Sequence, residues 1–188
     1  MPRLLGLITA ASALAVAGAA LGTERHVAEA PGVRVVVETT RFDVKLHRMG
    51  YKTIEGYKVL VTIDDASYSG TDGVVPTSEI VSIAVESDGW RYLLPPSAFR
   101  SLFDPHLGRN FVSPVPKVVT NGSRIVISFA GGDGDGYYTV SYSLDTATAR
   151  VERRVAEEPT PERPKRETFV ARKEPNNTVE RDANLAPN

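Results

Sequence analysis

The sequence predicts an all-β fold: an antiparallel β-sandwich of about eight strands, closed at one end by a short helix and followed by a disordered C-terminal tail. An up-and-down β-barrel is the alternative way to join the same strands. Three observations predict it. Apolar residues, most of them β-branched or aromatic, alternate with polar ones in segments between residues 33 and 155. Asn-Gly and Asp-Gly pairs, which accept the positive φ of tight hairpins, stand between such segments at Asn121-Gly122 and Asp88-Gly89. From Lys117 to Val155 the segments follow one another across short turns only, the signature of an antiparallel meander.

Ahead of the strands stands MPRLLGLITAASALAVAGAALG, residues 1–22, in which Arg3 precedes an uncharged run from Leu4 to Gly22. A basic start, an apolar stretch and small residues at Ala15-Val16-Ala17 and Ala17-Gly18-Ala19 read as an export signal peptide. About 20 apolar residues also suffice to span a bilayer, but alanine contributes little insertion energy. Cleavage is therefore expected, giving a secreted or periplasmic chain with no membrane span. The sequence has no cysteine, which excludes disulfide frameworks and thiolate chemistry and suits a bacterial envelope. Lys and Arg number 22 against 23 acidic residues, so no bulk charge draws the chain to nucleic acid.

The domain is expected over residues 23–156. Thr23 to Gly32 reads as a short polar lead. Strands then follow on Val33, Val35 and Val37; on Phe42, Val44 and Leu46; on Tyr57, Val59, Val61 and Ile63; and on Val81, Ile83 and Val85. Trp90, Tyr92 and Leu94 continue after the Asp88-Gly89 turn. Between Pro95 and Pro105, Phe99, Leu102 and Phe103 fall at helical spacing behind Pro96, which suits a first helical turn, so a short helix is expected there. Four strands follow, around Val118-Val119, Ile125-Val126-Ile127, Tyr138 to Leu144, and Val151 to Val155. Residues 157–188 carry seven acidic and six basic residues with five prolines and little to bury, so they read as a disordered tail.

The stretch SFAGGDGDGYYTV, residues 128–140, uses an alphabet shared by phosphate loops, calcium loops and hairpins. A phosphate loop requires a helix after it, whereas a strand follows here. Asp133 and Asp135 offer alternate carboxylates, and Asp64 and Asp65 could approach from another loop to complete a calcium site, although neither the EF-hand nor the β-roll spacing is met. A plain flexible hairpin is the reading preferred. His26, His47 and His106 show no zinc spacing, His47 reads as a surface residue, and no Gly-x-Ser-x-Gly elbow occurs, so no catalytic residue is assigned.

Arg48, Tyr51, Lys52, Tyr57 and Lys58 interleave cations with aromatic rings around Gly50 and Gly56, and form the best candidate contact surface, suited to a polyanion or a sugar polymer. The same residues could simply protect a sheet edge. Trp90, Phe99, Phe103 and Phe111 could line a pocket or pack a core. Together these features point to an exported, non-catalytic binding or interaction protein whose partner is another protein or an envelope polymer. An envelope enzyme or a small-ligand barrel is the alternative, and calcium dependence a weaker one.

Overall fold

The computed structural model describes residues 22–107, 116–157 and 164–176. Residues 1–21, which hold most of the expected signal peptide, lie outside this range, as does Phe111. The fold is all-β, with two five-stranded antiparallel sheets and a separate hairpin, and it forms no closed barrel.

Sheet one has the order β1-β2-β5-β6-β12, from β1 (Glu24–Ala30), β2 (Val33–Arg41), β5 (Ser78–Ser87), β6 (Trp90–Leu93) and β12 (Arg172–Pro175). Sheet two has the order β11-β10-β9-β8-β7, from β7 (Lys117–Asn121), β8 (Arg124–Gly131), β9 (Tyr138–Asp145), β10 (Arg150–Glu157) and β11 (Lys165–Val170). The expected meander is thus present, extended by one strand. The alternating residues do what their period requires. Val33, Val35 and Val37 meet Ile125, Ile127, Tyr142, Leu144 and Val151 in one buried core between the sheets. Burial raises the Tyr142 hydroxyl pKa, and that hydroxyl donates to the Ala98 carbonyl at 3.0 Å.

Four expectations are corrected. The lead at Thr23 to Gly32 is largely strand β1, with Ala28 buried against the core side. Val44 and Leu46 are not a strand: Asp43 caps a 3-10 turn over Val44–Leu46 by accepting from the Lys45 N–H, which leaves both apolar side chains exposed. The expected helix near Pro96 stops after a 3-10 turn, Pro96–Ala98. Phe99, Arg100 and Leu102 N–H still bond within the segment, to Pro96 and Phe99 carbonyls, but Phe103 N–H turns to the Ser69 carbonyl and the Ser101 carbonyl accepts from Ser69 N–H, each at 2.9 Å, so the turn does not propagate. Phe99, Leu102 and Phe103 are buried all the same.

The fourth correction concerns the tail. Residues 165–175 are ordered as β11 and β12, which pair with β10 and β6 respectively. Buried Ala171 marks the step from one sheet to the other, so the segment straps one side of the sandwich. Composition argued for disorder because few apolar groups are present, but two open sheet edges supply the backbone partners. Glu167 meets the inward-facing Arg153, which also donates to the Ala98 carbonyl at 2.9 Å. Residues 177–188 lie outside the described range.

Candidate functional site

The candidate contact residues lie mainly on the third unit, a hairpin of β3 (Met49–Ile54) and β4 (Tyr57–Ile63) that joins neither large sheet. Glu55 (φ 51°) and Gly56 (φ 87°) place two consecutive residues in the left-handed region, the geometry of a tight hairpin turn. Register then pairs Tyr51 with Leu60, Lys52 with Val59, Thr53 with Lys58 and Ile54 with Tyr57.

An isolated two-stranded hairpin is marginal in water, so its base has to be held. Phe42, Leu60, Ile63 and Phe103 form a small second core there, with Met49 and Tyr68 packed against it. Beyond that base the hairpin is solvated. Tyr57 is 76% exposed and Ile54 49%, and every residue from Tyr51 to Lys58 is exposed. The Lys58 ammonium stands 4.2 Å from the Tyr51 ring centroid, so a cation and an aromatic face are presented together. Arg48 stands apart from this group: it lies at the base and pairs with Asp65.

His47 ties the hairpin base to sheet one. Its ring stacks on Phe42 at 4.4 Å between centroids. Nδ1 lies 2.9 Å from Asp64 Oδ2 and Nε2 3.2 Å from Glu79 Oε2. Burial by itself would lower the His47 pKa, but the bond to Asp64 and the Glu79 carboxylate outweigh it and hold the imidazole above its ordinary value. The Arg48 backbone N–H, and then His47, keep the Asp64 carboxyl below its own. His47 is thus a half-buried bridge and not the free surface residue expected. Its partners stand 17 and 32 positions away (64 − 47 and 79 − 47), so no local pattern announces them.

The four aspartates considered for calcium are not gathered. Asp64 and Asp65 sit in a tight turn, with φ of 52° and 62°, and are engaged by His47 and Arg48. Asp133 precedes the 3-10 turn Gly134–Gly136 and Asp135 lies within it, both exposed. Among the described residues no group of three His, Asp or Glu side chains could hold a metal ion. The glycines have a packing role instead. Gly70 N–H bonds the Gly136 carbonyl at 3.0 Å, and a Cβ on Gly136 would lie within 2.6 Å of the Thr71 backbone. Gly132, at φ +77°, meets the Gly70 carbonyl in the same way. The loop is a corner where two backbones touch.

A groove of about 550 Å³ with mixed polar and apolar lining opens at one end of the sandwich, between Glu24, His26, Arg41, Asp104, His106 and Asp133 among others. Much of its polarity serves the fold. Asp104 Oδ1 accepts from the backbone N–H and hydroxyl groups of both Thr77 and Ser78, at 2.7 to 3.2 Å. His26 Nε2 lies 3.1 Å from the Thr39 hydroxyl. Trp90 lines no cavity described here: it is 40% exposed and faces the Lys173 ammonium at 4.4 Å.

Comparison of the chain with protein-family models, with curated proteins and with solved structures finds no significant match.

Proposed function

We propose that the protein is an exported, non-catalytic binding module that engages its partner, another protein or an envelope polymer, through the outer half of the β3–β4 hairpin. One observation carries the reading. The hairpin stands outside both sheets and is anchored only at its base, yet it exposes Tyr51, Ile54 and Tyr57 beside Lys52 and Lys58. Exposed aromatic and apolar side chains add nothing to folding there, whereas rigid rings ringed by cations are well suited to recognition.

The test is site-specific photocrosslinking in the envelope of the producing cell, with the crosslinker at position 57 and a control at exposed Glu29 on sheet one. Adducts from position 57 that vanish in a Lys52→Glu, Lys58→Glu background support the proposal. Equal labelling from both positions would sink it. Intact mass of the exported chain tests export and removal of the leader. The groove supports a second reading, a small polar ligand bound among His26, Arg41 and Asp133, for which adducts from position 40 and not from 57 would speak.

A further inference from the structure

The two sheets turn differently charged outer faces to solvent. On sheet one the register sets Glu29, Arg34, Glu86, Arg91 and Glu174 side by side, so charge alternates across all five strands. Arg34 lies 3.7 Å from Glu29 and 3.2 Å from Glu86. That face is self-compensated.

Sheet two is not. Since Ile125, Ile127, Tyr142 and Val151 point inward, the intervening residues point out. One outward row crosses the sheet as Lys117, Ser128, Ser141, Arg154 and Arg166. Another carries Arg124 and Arg150 on either side of Asp145. Glu152 stands between the two rows. Five cations thus face two carboxylates, a surplus of three positive charges. The carboxylates are already engaged: Glu152 is shared by Arg154 at 2.9 Å and Arg166 at 3.0 Å, and Asp145 accepts from the Ala147 N–H. Lys117 and Arg150 make no ion pair among the described residues.

The shape of this array selects its partner. With strands about 4.8 Å apart and a rise of about 3.4 Å per residue, the cations spread over roughly 19 Å by 14 Å, in two dimensions. A single extended polyanion would follow one row and leave the other unmatched. The aromatic side chains of these strands, Phe129, Tyr138, Tyr142 and Phe169, point inward, so this face has no ring to stack on a base or a sugar. Val119, 50% exposed, and Val170, 70% exposed, stand on the two edge strands of this same face.

We propose that the outer face of sheet two docks on an anionic lipid surface, its arginines and Lys117 set against head-group phosphates and its hydroxyl groups hydrogen-bonding between them. This surface is independent of the hairpin and would bring the hairpin to a membrane-proximal partner.

The test is flotation of the full chain with vesicles of equal parts phosphatidylglycerol and phosphatidylcholine, against pure phosphatidylcholine. The leader, with Arg3 and the α-amino group, adds the same anionic preference to every variant, so the change in the ratio of the two partition coefficients on altering the face reads the face. The ratio is expected well above one and to fall as salt is added. Lys117→Gln with Arg154→Gln and Arg166→Gln should lower it by roughly five-fold per cation removed. Arg124→Gln with Arg150→Gln, exposed changes in another row, serves as a second variant, and Lys52→Gln with Lys58→Gln should leave the ratio unchanged. A ratio of one, or a ratio insensitive to both face variants, overturns the proposal. So does tight binding to soluble dextran sulfate without preference for the anionic vesicles.

Discussion

Replacing Glu167 by Gln removes the charge opposite buried Arg153 while keeping the shape of the side chain. Breaking a fully buried pair by neutralising one partner costs roughly 3–5 kcal/mol. Here the Arg153 side chain is 8% exposed but Glu167 is 48% exposed, and Arg153 keeps its bonds to the Ala98 carbonyl and the Ser101 hydroxyl. Water on one side of the pair reduces the expected cost to about 2 kcal/mol. Arg153→Met should cost less than about 1 kcal/mol, because methionine fills a similar volume and removes a buried charge. It also removes an Nε that has no partner, while the Ala98 carbonyl keeps its bond from the Tyr142 hydroxyl. At roughly 3 °C per kcal/mol for a domain of this size, thermal unfolding should fall by about 6 °C for Glu167→Gln and by about 3 °C or less for Arg153→Met. A larger loss for the methionine variant, or none for the glutamine one, would refute both the docking of the strap and the reasoning about its charge.

Three further outcomes are expected. Gly136→Ala should destabilise by roughly 2–3 kcal/mol, because its methyl meets the Thr71 backbone, and Gly122→Ala, with φ +58° but open space around it, by only about 1 kcal/mol; chemical denaturation orders the two, and a reversed order would discard the packing account of the glycine loop. Because the folded-state pKa of His47 is raised, its contribution to stability is complete below the ordinary 6.5 and is lost as pH rises through the folded value. The difference in melting temperature between the wild type and His47→Gln should therefore shrink as pH rises above 6.5, and a constant difference would show that the bridge carries no charge. Tyr57→Ala, at a site 76% exposed, should change stability by no more than about 0.5 kcal/mol in thermal melting, so exchanging that side chain for a crosslinker leaves the fold intact; a larger loss would show that the ring packs on the domain.

Much of the strand content was legible because period-two alternation and turn chemistry are properties of near neighbours. Val33 to Val37, the meander from Lys117 to Val155 and the Asn121-Gly122 turn follow from them directly. At Val44–Leu46 the reading failed to a local cap by Asp43, and elsewhere a distant partner outbid the local pattern. Ser69 took the Phe103 N–H that a continuing helix would have turned on Phe99, and two open sheet edges ordered a charged segment whose composition argued for disorder. The candidate contact residues were legible as a cluster of rings and cations, but their separation into an exposed tip and an Arg48 fixed at the base was not.

The sequence by itself determined that this chain folds as antiparallel ribbons, that Val33, Val35 and Val37 and the alternating residues of the meander line apolar faces, and that the aspartate and glycine loop joins strand to strand. Only the tertiary structure decided that His47 lies between Asp64 and Glu79, that Arg153 is answered by Glu167, and that the cations of sheet two gather on one face. The reason is physical: alternation fixes the face a residue occupies within its own strand, whereas its neighbours across strands depend on register and sheet order, which are set by burial of the whole core at once.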